Sequence, residues 1–209
     1  MGRVPALPFA RVMTPLLFTW PYWLVFVAVS IWAYAPEFKI VWAARKAVTR
    51  AGSRDAGSFQ VIVYAGGAAS AVAVGLAWLP FLRMSAAIRP MAFGLGCLAI
   101  VLASLLRRHC QRLLGASFTG DVRAAPDQRI ISTGAYRFLR HPSYTAGTLL
   151  NVGFGLALGN WGSLALLTLA AIAVYSYRIA VEERALLGVV GEPYREFMRT
   201  RRRLIPFIY

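Results

Sequence analysis

The sequence has few of the side chains that bind metals or form disulfides. Its 209 residues include only two His and two Cys. Cys97 lies within an apolar run and Cys110 follows that run. Their spacing matches no zinc or redox motif, so we expect two free thiols. The same shortage argues against a His/Cys metal site, and we predict that the protein binds no metal.

Acidic residues are also scarce, with eight Asp and Glu against 23 Lys and Arg, which gives a net charge of +15. A soluble protein this basic would suggest nucleic acid as a partner. However, 58% of the residues are hydrophobic and the mean hydropathy is +0.58, which indicates a polytopic membrane protein. Membrane proteins concentrate Lys and Arg in cytoplasmic loops, so we predict membrane lipids and no nucleic acid as partners.

Apolar segments predict an all-α fold with about five transmembrane helices. They cover residues 15–35, 59–79, 90–106, 143–158 and 163–177. The turn at 159–162 makes the last two a tight hairpin. The fifth helix is expected to continue past the membrane, because residues 178–187 contain no Gly or Pro. The amphipathic tail that follows is expected to lie on the membrane surface and fold back over the candidate site.

The distribution of basic residues predicts the orientation in the membrane. The 36–58, 107–142 and 178–209 stretches together hold 19 Lys and Arg, and the segments on the other side hold four. The positive-inside pattern therefore places the N-terminus outside and the C-terminal half in the cytoplasm. The first apolar run mimics a signal peptide, but its length, its aromatic residues and Pro36 favour a retained helix.

Two polar stretches, 128–144 and 178–183, are interpreted as the halves of one site at the membrane surface. Arg178 and Glu182 are four residues apart and share a helix face, and Glu183 points about 100° away. Pro142 favours a helix start after His141. Ser143 and Tyr144 would then lie in a first turn, beside N–H groups that can bind an anion. Gly134 permits a close backbone approach to a ligand.

Each of these residues also has a purely structural interpretation. Glu182 and Glu183 are placed to form a helix-end ion-pair set with Arg184. The basic residues between 137 and 141 are placed to meet lipid phosphates. The residues alone predict a cytoplasm-facing pocket with arginines, one His and two carboxylates. They show no nucleophile–base pair of recognisable spacing and no phosphate loop, so they do not name a reaction.

The motifs resemble those of a known family. The segments 134–136 (GAY) and 140–144 (RHPSY), followed by Gly147, resemble the G-x-Y-x(3)-R-H-P-x-Y-x-x-G signature. This signature is found in the isoprenylcysteine carboxyl methyltransferases and their phospholipid methyltransferase relatives. Arg178 and the acidic pair at 182–183 match the family's R-x(3)-E-E element.

The resemblance extends over about residues 107–209, because 191–194 and 203–206 match the end of the family pattern. It implies a methyltransferase-like catalytic half over 107–209, with a cytoplasmic cofactor pocket. Residues 1–106 are then expected to form N-terminal transmembrane helices 1–3. The five-span length resembles the compact prokaryotic members, which implies a multi-pass protein of a prokaryotic inner membrane.

The resemblance also implies the reaction. The methyl donor would be S-adenosyl-L-methionine, with S-adenosyl-L-homocysteine as product. The acceptor would be the carboxylate of a prenylated cysteine, or a similar lipophilic carboxylate, entering from the bilayer. Arg178 and Glu182 would be the catalytic residues, with Arg178 holding the acceptor. The implied cofactor contacts are Gln128, Arg129, Ile130, Ile131, Gly134, Tyr136, His141, Pro142, Ser143, Tyr144, Glu182 and Glu183.

Three other functions stay open. One is amine methylation by a phospholipid N-methyltransferase of the same superfamily. Another is an NADPH-dependent, steroid-reductase-like membrane enzyme, and the last is a non-enzymatic protein with a basic cytoplasmic face. The RHPSY element and Arg178 favour carboxyl methylation. Methyl transfer from a sulfonium is an in-line displacement, so it needs no metal and no covalent enzyme intermediate. Placement and dehydration of the acceptor supply most of the rate. The chain departs from the family pattern at one upstream position: the family often carries Gln there, and the position falls near Asp121 here. The resemblance therefore does not supply that cofactor contact.

Overall fold

The computed structural model of the protein describes residues 14–47, 57–115 and 130–204. These residues form α-helices joined by short 3₁₀ turns, without a β-strand among them, so the all-α prediction is confirmed. The helices are α1 (Tyr22–Ala47), α2 (Ser58–Leu76), α3 (Arg89–Leu114), α4 (Pro142–Ala157), α5 (Trp161–Val189) and α6 (Glu192–Thr200). The 3₁₀ turns cover Leu16–Phe18, Pro80–Leu82 and Gly134–Arg137.

Three of the described helices, α2, α3 and α5, are long and apolar enough to cross a membrane. The apolar part of α1 is the shorter stretch Tyr22–Ala35, and α4 has 16 residues. The prediction of a multi-pass membrane protein is thus supported by the helices themselves. The count of five spans stays a prediction.

The helix boundaries depart from the predicted spans. The first helix begins at Tyr22 rather than at residue 15, because residues Leu16–Phe18 form a 3₁₀ turn that ends at Thr19, whose backbone is extended. It then continues to Ala47, past the start of the predicted polar loop at residue 45. Similarly, α3 extends from the predicted end at 106 to Leu114. Apolar runs mark the part of a helix in the membrane, whereas polar helix formers carry the helix beyond it.

Helices α3 and α4 meet backbone to backbone at the centre of the molecule. A Cβ atom on Gly96 would lie 2.6 Å from the carbonyl oxygen of Gly153, and one on Gly153 would lie 2.7 Å from that of Gly96. The side chains of Ile100 and Leu150 are buried in one cluster next to this contact. Close approach therefore depends on glycine at both positions, as is common where membrane helices pack tightly.

Helix α2 runs antiparallel to α5 and contacts it through small residues. The hydroxyl of Ser163 donates to the carbonyl oxygen of Ala73 at 2.6 Å, and Nδ2 of Asn160 donates to that of Leu76 at 3.0 Å. Close packing of the small residues on α2 is thus observed at Ala73, which is fully buried. At Gly66 and Gly67, by contrast, an added Cβ would meet open space.

The predicted hairpin between α4 and α5 is present. Gly159 adopts a left-handed conformation, and Asn160 caps α5 by accepting the N–H of Ser163 at 3.0 Å. The N–H of Met84 donates to the carbonyl oxygen of Gly159 at 3.0 Å, so the 80–89 connection lies at the same end of the molecule. The candidate site residues lie at the opposite end, where α2 begins.

Candidate functional site

Three pieces of the chain meet at the candidate site: the segment 130–144, the end of α5 and the tail after α6. The tail pairs with the segment through the backbone. The N–H of Arg140 donates to the carbonyl oxygen of Arg202 at 2.7 Å, and the N–H of His141 donates to that of Arg203 at 3.1 Å. The hydroxyl of Thr145 then donates to the carbonyl oxygen of Leu204 at 2.6 Å. The tail therefore folds back over the start of α4, as predicted.

Glu183 anchors this pairing from α5. Its carboxylate accepts Nη1 of Arg140 at 2.7 Å and lies 3.1 Å from Nη2 of Arg203. Nε2 of His141 lies 3.2 Å from the same carboxylate. The Glu183 side chain is only 5% exposed. A buried carboxylate is stable only when it is paired and hydrogen-bonded, and here it joins α5 to both the segment and the tail.

Tyr144 links Arg178 to Glu182 through its hydroxyl group. Nε of Arg178 donates to this hydroxyl at 3.2 Å, and the hydroxyl donates to Oε2 of Glu182 at 2.5 Å. The prediction that Arg178 and Glu182 share a face of the helix is confirmed. Arg178 is buried, with 3% of its surface exposed, whereas the side chain of Glu182 is 29% exposed. One carboxylate of the acidic pair, that of Glu182, therefore remains accessible to solvent.

The Tyr144 ring is held in a stack of aromatic rings. The ring centroid of His141 lies 5.5 Å from that of Tyr144, and the centroid of Tyr175 lies 5.3 Å from it, with interplanar angles near 20°. Gly147 makes room for Tyr175, because a Cβ at Gly147 would collide with the Tyr175 hydroxyl. This geometry gives Gly147, part of the sequence motif, a physical reason to be glycine.

Helix α3 holds the first turn of α4 in place. Nη1 of Arg107 donates to both the carbonyl and the side-chain oxygen of Ser143, at 3.1 Å each. The amides of this turn are partly committed, since the N–H of Tyr144 donates to the carbonyl oxygen of His141 at 3.0 Å. The anion site predicted from the helix start thus has fewer available N–H donors than a bare helix end offers.

Gly134 and Tyr136 lie in the 3₁₀ turn that precedes His141. Gly134 has a φ of +58°, and a Cβ there would lie 2.5 Å from Nε2 of His109 on α3. The group that closely approaches Gly134 is therefore the side chain of His109. The predicted approach of a ligand to this glycine stays a prediction. The Tyr136 side chain hydrogen-bonds with Cys110. Burial raises the pKa of Tyr136, and the nearby Cys110 and Glu182 raise it further, so the phenol stays protonated.

Tyr194 on α6 packs beneath the two acidic residues together with Phe197 and Leu186. Burial raises the pKa of Tyr194, and the charges of Glu183 and Glu182 add to this rise. Ile130 packs against the same cluster. The cluster joins α6 and the start of the 130–144 segment to the end of α5, the helix that carries Glu182 and Glu183.

A groove of about 320 Å³ opens beside Arg140 and the tail. Its wall consists of Arg140, Met198, Arg199, Thr200, Arg201, Arg202 and Arg203. Nε of Arg140 is buried and has no hydrogen-bond partner among the described residues. The groove therefore offers a strongly positive surface that suits an anionic group.

The structure thus brings together most of the predicted site residues. His141 contacts Glu183, and Tyr144 contacts both Arg178 and Glu182. Pro142 and Ser143 lie between them in the first turn of α4, and Gly134 and Tyr136 lie in the preceding 3₁₀ turn. Gln128 and Arg129 lie outside the described residues. Within the described ranges, no three His, Cys, Asp or Glu side chains cluster as a metal site requires.

Four contributors were not singled out from the sequence: Ser58, Arg107, Tyr175 and Arg203. Arg203 lies in the closing RLIP motif, which was a usable signal. Ser58 and Arg107 act from helices distant in sequence, and only the tertiary fold brings them to the site. Tyr175 lies three residues before Arg178 on α5, and its role depends on how α4 packs against that helix.

The chain is similar to a known family of membrane enzymes. Residues 94–188 match the model of the isoprenylcysteine carboxyl methyltransferase (ICMT) family. Over 116 residues the chain is 33% identical to protein-S-isoprenylcysteine O-methyltransferase of Saccharomyces cerevisiae. Over 111 residues it is 30% identical to the Schizosaccharomyces pombe enzyme of that name. These alignments cover 54% and 52% of this chain and 48% and 47% of the relatives, so the chain spans about half their length.

A solved structure shows the same kind of fold. It is that of the eukaryotic intramembrane Ras methyltransferase, isoprenylcysteine carboxyl methyltransferase. The superposition has a TM-score of 0.58 at 26% sequence identity, and it covers 68% of this chain and 51% of that one. The similarity therefore includes helices outside residues 94–188.

Proposed function

We propose that this chain is an integral membrane methyltransferase, because residues 94–188 match the model of the isoprenylcysteine carboxyl methyltransferase family. S-adenosylmethionine is the methyl donor, and the acceptor is the carboxylate of a prenylated cysteine or a similar lipophilic acid. The observation that carries the proposal is the Arg178–Tyr144–Glu182 linkage. It sets a guanidinium and an accessible carboxylate side by side at the end of a membrane helix.

The residues present fit the chemistry of the donor. S-adenosylmethionine has a sulfonium and an ammonium group, which suit the carboxylate of Glu182 and the faces of the aromatic stack around Tyr144. It also has a carboxylate, which suits the basic groove beside Arg140. We assign the remaining donor contacts to the segment 128–144. When bound, S-adenosylmethionine supplies an electrophilic methyl group.

Arg178 binds the acceptor carboxylate in this proposal. A guanidinium can orient a carboxylate through two parallel hydrogen bonds, and the burial of Arg178 strengthens this attraction by lowering the local dielectric. The acceptor oxygen forms the new O–C bond as the S–C bond of the donor breaks. The products are a methyl ester and S-adenosylhomocysteine. The carboxylate is already a nucleophile, so no general base is required, and Glu182 serves to bind the donor.

Glu183 has a different part. Its contacts with Arg140, His141 and Arg203 keep the tail closed over the start of α4. A closed tail limits the access of water to the reacting groups, which favours transfer to the acceptor over side reactions. The acceptor enters from the bilayer, where its prenyl chain remains in an apolar environment.

Isothermal calorimetry of the detergent-purified protein tests the proposal. We expect S-adenosylhomocysteine to bind and NADPH, titrated in parallel, to give no heat of binding. A turnover assay with N-acetyl-S-farnesylcysteine and radiolabelled donor should then yield the methyl ester. Binding of NADPH in place of S-adenosylhomocysteine would move the protein to the reductases. Binding of S-adenosylhomocysteine with methylation of phosphatidylethanolamine, and none of farnesylcysteine, would move it to the phospholipid N-methyltransferases.

A further inference from the structure

Ser58 is the first residue of α2, and its side chain is fully buried even though it lies at a helix end. The N-cap position before it belongs to Gly57, which adopts a left-handed conformation and has no side chain. The Ser58 hydroxyl accepts a hydrogen bond from Nη1 of Arg178. A residue outside the family match at 94–188 thus contacts the guanidinium that the proposed reaction uses.

Two polar contacts set the register of α2 against α5. Ser58 meets Arg178 at one end, and the carbonyl oxygen of Ala73 accepts the hydroxyl of Ser163 at the other. Fifteen residues separate Ser58 from Ala73 on α2, and fifteen separate Ser163 from Arg178 on α5. Equal spacing on antiparallel helices means that both contacts form in a single register. A slip of one residue, about 1.5 Å, would break both.

Two hydrogen bonds hold the guanidinium of Arg178 from two other helices. Ser58 lies on α2, and Tyr144, which accepts Nε of Arg178 at 3.2 Å, lies on α4. An arginine side chain has many rotamers, and its planar guanidinium binds a carboxylate well only when that plane is fixed. Both hydroxyls are neutral, so they fix the direction of the guanidinium without adding a negative charge beside it.

We propose that Ser58 is a positioning residue for the methyl acceptor, holding Arg178 in the orientation that binds the acceptor carboxylate. This inference rests on the proposed function and deepens it. It gives the N-terminal helices a part in the reaction, because α2 carries the hydroxyl and the α2–α5 register sets where it lies.

Ser58→Ala removes one oxygen atom and tests the inference. We expect the KM for N-acetyl-S-farnesylcysteine to rise about tenfold, since a hydrogen bond to a charged group is lost. The Kd of S-adenosylhomocysteine, measured by calorimetry, should stay at the wild-type value. Ser70→Ala is the matched control, because Ser70 lies on the same helix and its hydroxyl donates to the carbonyl oxygen of Gly66 at 2.8 Å. Its KM should be that of the wild type.

A double-mutant cycle separates positioning from a general structural effect. If Ser58 acts through Arg178, Ser58→Ala will not raise the acceptor KM further in an Arg178→Ala background. Additive losses would overturn the inference, as would an unchanged KM in Ser58→Ala. A lower Tm together with weaker S-adenosylhomocysteine binding would make Ser58 a structural residue and also overturn it. If the wild-type protein does not turn over N-acetyl-S-farnesylcysteine, the proposed function is wrong, and the inference about Ser58 fails with it.

Discussion

Glu182 and Glu183 are adjacent carboxylates with unlike surroundings. Glu182 accepts the hydroxyl of Tyr144 and keeps 29% of its side chain exposed, whereas Glu183 is 5% exposed and meets Arg140 and Arg203. Because one residue is about 100° of rotation on a helix, two neighbours can serve different sides of a site. The accessible carboxylate is suited to a ligand, and the buried one is suited to the protein's own cations.

Paired substitutions distinguish these two roles. Glu182→Gln should abolish S-adenosylhomocysteine binding in calorimetry while leaving the Tm close to the wild-type value, since only a partly exposed charge is removed. Glu183→Gln should lower the free energy of unfolding by about 2 kcal/mol, because hydrogen bonds to two arginines are weakened. Its tail should also be cleaved faster by trypsin after Arg202 or Arg203. Equal behaviour of the two variants in both assays would contradict the assignment.

The sequence was informative about the site where spacing along a helix decides the geometry. The common face of Arg178 and Glu182 follows from their separation of four residues. The link through Tyr144 does not, because it depends on how α4 packs against α5. Likewise, Arg107 reaches Ser143 only because Gly96 and Gly153 let α3 approach α4. Contacts of this kind depend on tertiary packing, which local patterns do not specify.

At the scale of helices, α3 contains two glycines with opposite surroundings. A Cβ on Gly96 would meet the backbone of α4 at 2.6 Å, and a Cβ on Gly94 would meet nothing within 4 Å. A backbone neighbour cannot rotate away as a side chain can. The α3–α4 contact therefore tolerates no side chain at Gly96, although the same helix accepts one at a position two residues earlier.

Gly96→Ala and Gly94→Ala form a matched pair that tests this contact. Gly96→Ala should lower the Tm of the purified protein by several degrees and weaken S-adenosylhomocysteine binding, because it forces α3 away from α4. Gly94→Ala should leave both quantities unchanged or raise the Tm slightly, since alanine favours a helix more than glycine does. A Tm for Gly96→Ala equal to that of Gly94→Ala would show that the two helices do not pack as described.

The helices themselves were largely predictable, and their ends were less so. Apolar runs located α2, α4 and α5 to within three residues at most ends. The predicted start of α1 was wrong because a 3₁₀ turn and an extended Thr19 precede the helix within the same apolar run. Hydrophobicity reports the surroundings of a segment, whereas a helix boundary depends on hydrogen bonding at its first and last turns.

At the scale of the whole molecule, polar groups gather at the two ends of the helices. The 80–89 connection meets the 159–160 turn at one end, and the candidate site occupies the other. The excess of Lys and Arg in the segments at the site end predicts that this end faces the cytoplasm. The proposed methyl donor, S-adenosylmethionine, is a charged, water-soluble molecule, which agrees with a site on that side.

Cysteine labelling in intact bacterial cells tests this orientation. Ala86→Cys places a thiol in the 80–89 connection, and Arg184→Cys places one near the site, both at exposed positions. A membrane-impermeant maleimide should label Ala86→Cys in intact cells and Arg184→Cys only after lysis. The parent chain serves as the control, because Cys97 and Cys110 are buried. The reverse pattern would invert the topology.

The paired contacts between α2 and α5 also bear on how the protein meets its lipid surroundings. Ser58 and Ala73 lie about 22 Å apart along α2 at 1.5 Å per residue, within a hydrocarbon core of about 30 Å. Membrane helices respond to thicker or thinner bilayers by changing their tilt. Pinned at both contacts, α2 and α5 tilt as one body. A change in bilayer thickness is then expected to change the tilt of both helices together, without shifting Ser58 relative to Arg178. The position of the Arg178 guanidinium should therefore not depend on membrane thickness.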